Sequence, residues 1–121
     1  MRLLNSIKNA LRGIRFCVVF ERNFRIQVIV ALVAFLLGVL FNISTIEWFV
    51  ILICSGIVIG LEMVNTTIEK LSNLITETIH PQIKQIKDIA AGAVGLVSII
   101  SMIIGFIIFL PKLLLFLKHL K

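Results

Sequence analysis

Charged side chains are scarce in this chain. Only 15% of its 121 residues are charged, 60% are hydrophobic, and the mean hydropathy is +1.13. Soluble domains have about 25% charged and about 45–50% apolar residues, so this composition indicates a membrane protein, and the length suits one small domain. The net charge of +6 does not indicate nucleic-acid binding, because no basic patch is interleaved with aromatic residues. The basic residues flank apolar runs, where anionic headgroups and insertion bias explain them.

Patterned cysteines and the common catalytic motifs are also missing. Cys17 and Cys54 lie far apart without metal-ligand spacing, so we interpret them as small buried apolar residues rather than a disulfide. No glycine-rich phosphate loop, protein-kinase catalytic loop or HExxH motif occurs in the sequence. These absences exclude the common phosphate-binding and zinc-binding motifs of soluble enzymes.

The N-terminal residues 1–25 combine basic side chains with an apolar stripe. The stripe recurs at helical spacing through Leu4, Ile7, Leu11, Ile14 and Val18. Basic residues lie largely off this stripe, so the segment is predicted to be an amphipathic helix at the membrane interface. No small-residue cleavage site follows, which argues against a signal peptide.

Three apolar stretches are long enough to be transmembrane helices, at about residues 24–42, 47–69 and 88–110. A polar loop is predicted over residues 70–87, where Pro81 is predicted to break the helix, and Pro111 is predicted to end the third span. The connection between the first two spans contains no basic residue. The positive-inside rule therefore places the N-terminus and the 70–87 loop in the cytoplasm of a cell-membrane protein. The basic C-terminal tail then falls outside and argues weakly for the opposite orientation.

Small residues recur four apart in the second and third spans. Gly56 and Gly60 form one such pair, and Ala91 and Gly95 form another. The spacing allows close helix approach, although ordinary membrane glycines explain it equally well.

Two carboxylates at the end of the second span are the most unusual feature of the sequence. Glu62 and Glu69 are seven residues apart, so they share one helix face with Asn65 between them. A charge inside a membrane costs about 2.5–3.5 kcal/mol, which favours a functional role for Glu62. The backbone positions of Glu62 and Glu69 are about 10 Å apart along the helix axis, so we do not expect one metal ion to bind both carboxylates directly. We expect the two carboxylates to have different roles.

Other charged residues are predicted to gather at the same cytoplasmic boundary. Glu21, Glu69 and Asp88 would form a carboxylate cluster suited to hydrated Mg²⁺, with Lys87 beside it for phosphate. Glu62 beneath them would be a general base. Simpler roles remain for some of these residues: solvation for Glu21, helix capping for Asp88 and membrane anchoring for Lys87.

Two motifs resemble a known family. The segment from Glu62 to Glu69 is similar to the signature E-x-x-N-(S/T)-(A/T)-I-E of the small prokaryotic diacylglycerol kinases. The segment Lys87 to Val94 is similar to their K-D-x-(A/G)-(A/S)-(A/G)-A-V segment. The spacing between the motifs also fits, as do the upstream patterns Gly13-x-Arg15 and Glu21-x-x-Phe24-Arg25.

The resemblance implies an all-α membrane protein, a homotrimer of three-span protomers with a surface helix and sites shared between neighbours. It implies phosphorylation of a lipid hydroxyl with ATP and Mg²⁺. Residue by residue, it implies Glu62 as the base, Glu21 and Glu69 as metal ligands, and nucleotide or substrate contacts from Lys87, Asp88, Asn65, Arg15, Arg2 and His80. His80 is otherwise read as an ordinary loop histidine. Asn73 departs from the family, many members of which have an acidic residue there.

The substrate branch is indicated by one short segment. Residues Glu21 to Gln27 look more like the undecaprenol kinase branch, with its pattern E-x-N-x-(R/K)-(I/F)-(H/Q), than like the diacylglycerol branch. The predicted product is undecaprenyl phosphate, with phosphatidic acid from diacylglycerol as the alternative. Two other classes remain: a small proton-coupled transporter using Glu62, and a regulatory membrane subunit without chemistry.

Overall fold

The computed structural model describes residues 1–76 and 78–121 of the chain. The regular structure of these residues is entirely α-helical: α1 (Arg2–Phe20), α2 (Arg22–Leu40), α3 (Thr45–Ile75) and α4 (Pro81–His119). Helices α2, α3 and α4 are each long and apolar enough to cross a membrane. The prediction of an all-α protein with three membrane-spanning helices is confirmed at this level.

A break at Glu21 separates α1 from α2. Glu21 has an extended backbone (φ −111°, ψ 107°) and is both the C-cap of α1 and the N-cap of α2. The guanidinium of Arg25 donates hydrogen bonds to the carbonyl oxygens of Val18 at 3.0 Å and Val19 at 2.9 Å. These carbonyls have no partner within the last turn of α1, so a cation is favourable there. The first apolar span therefore begins at Arg22, immediately after the break.

The turn between α2 and α3 is tightly packed. Asn42 has a positive φ of 49°, and Ser44 caps α3 through a reciprocal capping box with Glu47. The Trp48 ring lies over Gly38 of α2, where an added Cβ would meet the ring carbon Cη2 at 2.8 Å. Ile43 belongs to the hydrophobic cluster at this end of the bundle.

Two predicted boundaries are wrong, both of them at prolines. Pro81 is the first residue of α4, where proline's fixed φ suits a helix start. It therefore begins a helix, whereas the sequence predicted that it would break one. The predicted 70–87 loop is therefore mostly helix, because α3 extends to Ile75 (Glu77 lies outside the described residues). Asp88 lies well inside α4 rather than at a helix start.

The prediction that Pro111 ends the third span is also wrong. Helix α4 continues through Pro111 to His119. Proline removes one backbone hydrogen bond, but membrane helices tolerate this where neighbouring groups hold the following turns. Here the Lys112 ammonium donates to Glu47 at 3.0 Å, and the Phe116 ring packs edge-on against Phe41.

Helix α3 is central, since it packs extensively against α4 and also against α2. The predicted close approach at small residues is not made within the chain. A Cβ added at Gly56, Gly60 or Gly95 would meet no atom of the described residues within 4 Å. These glycine faces are open in the single chain.

Candidate active site

A stripe of buried polar side chains lies on α3 where its apolar sequence ends. Glu62 is only 5% exposed, and Asn65, Thr66 and Ser72 are buried with it. Thr66 donates its hydroxyl to the backbone carbonyl of Glu62 at 3.1 Å. Apolar membrane helices do not bury such groups without a reason, because each carries a desolvation penalty. The predicted burial of Glu62 is confirmed.

The amide oxygen of Asn65 lacks a hydrogen-bond partner among the described residues although it is buried. Leaving a buried acceptor unpaired costs about 1–3 kcal/mol. Most buried polar groups in native structures are paired, so an orphaned acceptor beside a buried carboxylate requires an explanation. A group from outside the single chain, either a bound molecule or a second copy, would satisfy it.

The other two predicted carboxylates lie close to Glu62. The charges of Glu69 and Glu21 are both near enough to repel that of Glu62. Glu69 is exposed on α3 two turns further along, and Glu21 is half-buried at the break between α1 and α2. The fold thus places Glu69 and Glu21, both accessible to water, each within electrostatic range of the buried Glu62.

The C-terminal end of α1 covers this group. Cys17 is buried, which raises the pKa of its thiol; the negative charges of Glu21 and Glu62 raise the pKa further, and Lys70 opposes the shift. The Lys70 ammonium lies over the Phe16 ring, 4.2 Å from its centroid. This cation–π contact joins α1 to α3 beside the carboxylates.

Sequence reasoning missed the contribution of Phe16 and Lys70. Two adjacencies in the sequence could have pointed to this contact: Lys70 directly follows Glu69, and Phe16 directly precedes Cys17. Interpretation of Cys17 and Cys54 as unpaired cysteines is confirmed, with Cys17 buried and Cys54 partly buried.

Asp88 does not join the carboxylate group within one chain. Its carboxylate accepts from Lys84, one turn earlier on α4, at 2.6 Å, and both side chains are mostly exposed. In the part of the chain that is described, no three His, Cys, Asp or Glu side chains are grouped as metal ligands. The predicted cluster of Glu21, Glu69 and Asp88 is therefore not formed within the described part of a single chain, where Lys84 at i−4 is the partner of Asp88.

Lys87 is held by the residue that departs from the family pattern. Its ammonium donates to the amide oxygen of Asn73 at 2.7 Å, which links α4 to α3. An amide orients the ammonium without cancelling its charge, whereas an acidic residue there would neutralise it. Lys87 keeps its positive charge available for an anion.

The three remaining predicted contacts make no hydrogen bond or ion pair with Glu62, Asn65 or Glu69 in the described residues. His80 is the N-cap of α4, and its Nδ1 atom accepts from the backbone N–H of Gln82 at 3.2 Å. Arg2 and Arg15 are exposed on α1. Within the described residues, neither arginine side chain has a hydrogen bond or ion pair.

An apolar cavity of about 430 Å³ lies between α2, α3 and α4. Its wall on α3 includes Val58, one helical turn from Glu62 on the same buried face. Gln27 also lines the cavity and donates to the Ser98 hydroxyl at 3.1 Å. On α3 the cavity wall ends at Ile59, three residues before the buried carboxylate.

Comparison with known proteins identifies the family of this chain. The sequence profile described as "Prokaryotic diacylglycerol kinase" matches residues 8–109, which include all of α2 and α3 and most of α1 and α4. A relative from Bacillus subtilis (strain 168), named undecaprenol kinase, is 44% identical over 112 residues, covering 93% of this chain and 91% of the relative. The chain belongs to the prokaryotic diacylglycerol kinase family.

Proposed function

We propose that this protein transfers the γ-phosphate of ATP to the hydroxyl of undecaprenol and so forms undecaprenyl phosphate. The observation that carries the proposal is the buried Glu62 carboxylate beside the unpartnered amide oxygen of Asn65. A carboxylate in that position suits a proton acceptor for a hydroxyl that arrives from within the membrane. The name and 44% identity of the Bacillus subtilis relative support undecaprenol as the substrate.

Each group has a separate task in this reaction. Glu62 accepts the proton of the lipid hydroxyl, whose oxygen bonds to the γ-phosphorus as the bond to the leaving ADP oxygen breaks. Asn65 accepts a hydrogen bond from a bound group and fixes its position. Lys87 contacts phosphate oxygens through its uncancelled charge. Phosphoryl transfer depends mostly on positioning and charge stabilisation, which these side chains supply.

The carboxylates of Glu21 and Glu69 suit a hydrated Mg²⁺ ion that is bound together with nucleotide phosphates. Mg²⁺ keeps several waters and is usually bound by one or two carboxylates together with phosphates. Glu69 is exposed and Glu21 is half-buried, and the charge of each acts on Glu62, so we propose these two water-accessible carboxylates as the ligands of a hydrated ion. When bound, the ion would neutralise phosphate charge. Arg2, Arg15, His80 and Asp88 stay proposed nucleotide or substrate contacts.

The apolar cavity supports a lipid substrate. Its walls are largely aliphatic and include Val58 and Ile59, which precede Glu62 on α3 by about one turn, so we place the lipid tail in the cavity and its hydroxyl at that carboxylate. Gln27 closes the undecaprenol-type segment and lines this cavity. The tail would stay in the bilayer throughout, so the enzyme needs no separate pocket that shields it from water.

We also propose a homotrimer with shared sites, with α1 lying on the cytoplasmic face of the cell membrane. Open glycine faces at Gly56 and Gly60 are available to a second copy. Co-assembly of Glu62→Gln chains with Asp88→Asn chains tests the sharing, because Asp88 does not join the Glu62 group within one chain. Partial recovery of activity in the mixture supports composite sites, whereas the absence of any recovery contradicts them.

The reaction itself is tested with purified protein, labelled ATP and two lipids. We expect labelled undecaprenyl phosphate from undecaprenol, with slower transfer to diacylglycerol. Faster transfer to diacylglycerol would reassign the substrate. No transfer to either lipid would overturn the proposal, and proton flux in proteoliposomes would then favour a transporter.

A further inference from the structure

Helix α4 continues beyond the part of the chain that the family profile matches. The match ends at residue 109, whereas the helix ends at His119. Residues 111–121, here named the C-terminal tail, are therefore not covered by the family's shared sequence. The tail contains six large apolar residues that are each at least 40% exposed, and it contains no acidic residue.

The tail lies at the end of the bundle opposite Glu62. The Lys112 ammonium bonds to Glu47, which is in the first turn of α3. One turn later, the Phe116 ring meets Phe41 at the end of α2, with ring centroids 6.2 Å apart. These contacts hold one face of the tail against the turn between α2 and α3.

The opposite face of the tail changes from apolar to basic along the helix axis. At about 100° per residue, Leu114 and Lys118 project away from the side that carries Lys112 and Phe116, and Lys121 follows two residues after the helix ends at His119. All three are exposed, Leu114 by 58%. A helix that passes from hydrocarbon into headgroups shows this order, with apolar contact first and cations at phosphate level.

We infer that Leu114, Lys118 and Lys121 form a binding surface for anionic phospholipid in the leaflet opposite the Glu62 site. Acyl chains cover Leu114, and the two ammonium groups contact the headgroup phosphate. Neither lysine has an acidic partner in the described part of the chain, whereas Lys112 does. Each lysine near a headgroup contributes about fivefold in affinity. This inference does not depend on the proposed kinase reaction.

Tryptophan fluorescence measures the lipid beside the tail. Trp48 is the single tryptophan, so the Trp48→Phe and Leu114→Trp double variant carries one reporter, on the proposed surface. In nanodiscs, brominated phosphatidylglycerol should bind beside this reporter at least about fivefold more tightly than brominated phosphatidylcholine. Adding Lys118→Gln and Lys121→Gln should remove the preference. A matched reporter, Leu32→Trp with Trp48→Phe, lies on the exposed face of α2 and should show none.

Equal quenching of the Leu114→Trp reporter by both lipids overturns the inference. A preference that survives loss of both lysines also overturns it. Native mass spectrometry provides a second measurement without new tryptophans: the double lysine variant should retain fewer phosphatidylglycerol molecules than wild type. Lys8→Gln, which lies on α1, removes a positive charge elsewhere and should leave retention at the tail lysines intact. Unchanged phosphatidylglycerol retention in the double lysine variant contradicts the inference. Cross-linking of the tail to another protein, together with no preference of the tail for anionic lipid, also contradicts it.

Discussion

The carboxylates towards the two ends of α3 differ in burial and in hydrogen bonding. At the end near the turn with α2, Glu47 accepts the Ser44 backbone N–H and the Lys112 ammonium, each at 3.0 Å. Towards the other end, Glu62 is buried without a side-chain hydrogen bond in the described residues, and the Asn65 oxygen is unpaired. A fully paired carboxylate stabilises the fold. A buried, unpaired one is what a reaction requires, because its lone pairs are free for a substrate.

The strongest test of this contrast is Glu62→Gln. We expect the rate of phosphoryl transfer to fall by about 10²–10⁴-fold, since an amide cannot accept the hydroxyl proton. Nucleotide binding should remain, because Glu69 and Lys87 are unchanged. Transfer is measured with labelled ATP and undecaprenol, and binding by equilibrium dialysis. Normal turnover would remove Glu62 from its role as the base.

Glu69→Gln should have the second-largest effect. Removing one charged ligand should raise the Mg²⁺ concentration for half-maximal rate by about tenfold or more. Titration of the rate against Mg²⁺ measures the change. An identical Mg²⁺ dependence in the variant and the wild type would contradict a role for Glu69 at the metal.

Gly38→Ala tests the packing at the other end of the bundle. Its Cβ would lie 2.8 Å from the Trp48 ring and 3.0 Å from Ile43, so the chain should lose about 1–3 kcal/mol of stability. Denaturant titration of helicity in micelles gives the value. Gly56→Ala is the matched control, because the new methyl would meet no described atom within 4 Å. Equal stability of the two variants would contradict the packing at Trp48.

Arg25→Gln should loosen α1 by removing its cap at the Val18 and Val19 carbonyls. Cys17 reports the change in a Cys54→Ala background. Its raised pKa keeps the buried thiol protonated, so alkylation should be slow at neutral pH and should accelerate only as pH rises through the raised value. In the variant, we expect several-fold faster alkylation and a midpoint shifted down towards the ordinary thiol pKa.

The raised pKa of Cys17 also determines how the docking of α1 depends on pH. Undocked Cys17 ionises more easily than docked Cys17, so its contribution to docking is complete below the ordinary thiol pKa and is lost as pH rises through the raised one. Arg22→Gln is the control, since Arg22 lies in the same turn and is exposed. Faster alkylation in both variants would mean that charge, rather than the cap, governs access.

Glu47→Gln should have the smallest effect. The amide oxygen can still accept from Ser44, and isolated ion pairs near water contribute little. We expect a fall of a few degrees at most in Tm and an unchanged kinase rate. A double-variant cycle with Lys112→Gln isolates the pair. A clear loss of kinase activity would show that this end of α3 also serves the reaction.

The sequence predicted the three spans because apolar runs and bilayer thickness leave few alternatives. It failed at Pro81 and Pro111, because proline both starts helices and persists within membrane helices. The choice depends on surrounding contacts, such as the Lys112–Glu47 pair, which join residues distant in sequence.

The burial of Glu62 was also predictable, since a carboxylate within an apolar run has few other places to go. The proximity of Glu21 and Glu69 to Glu62 agrees with the helical spacing and the predicted boundary. The position of Asp88 was not predictable, because a local ion pair with Lys84 competes with the longer-range cluster. The cover provided by α1 depends on tertiary packing that no short motif encodes.

One rigid helix joins the parts of the candidate site that meet lipid and water. Glu62 and Glu69 belong to the unbroken α3, so their separation is set by backbone hydrogen bonds rather than by a loop. One residue inserted between them would turn Glu69 by about 100° away from the shared face. Substitutions between the two carboxylates would keep their separation and shared face, whereas an insertion or a deletion would not.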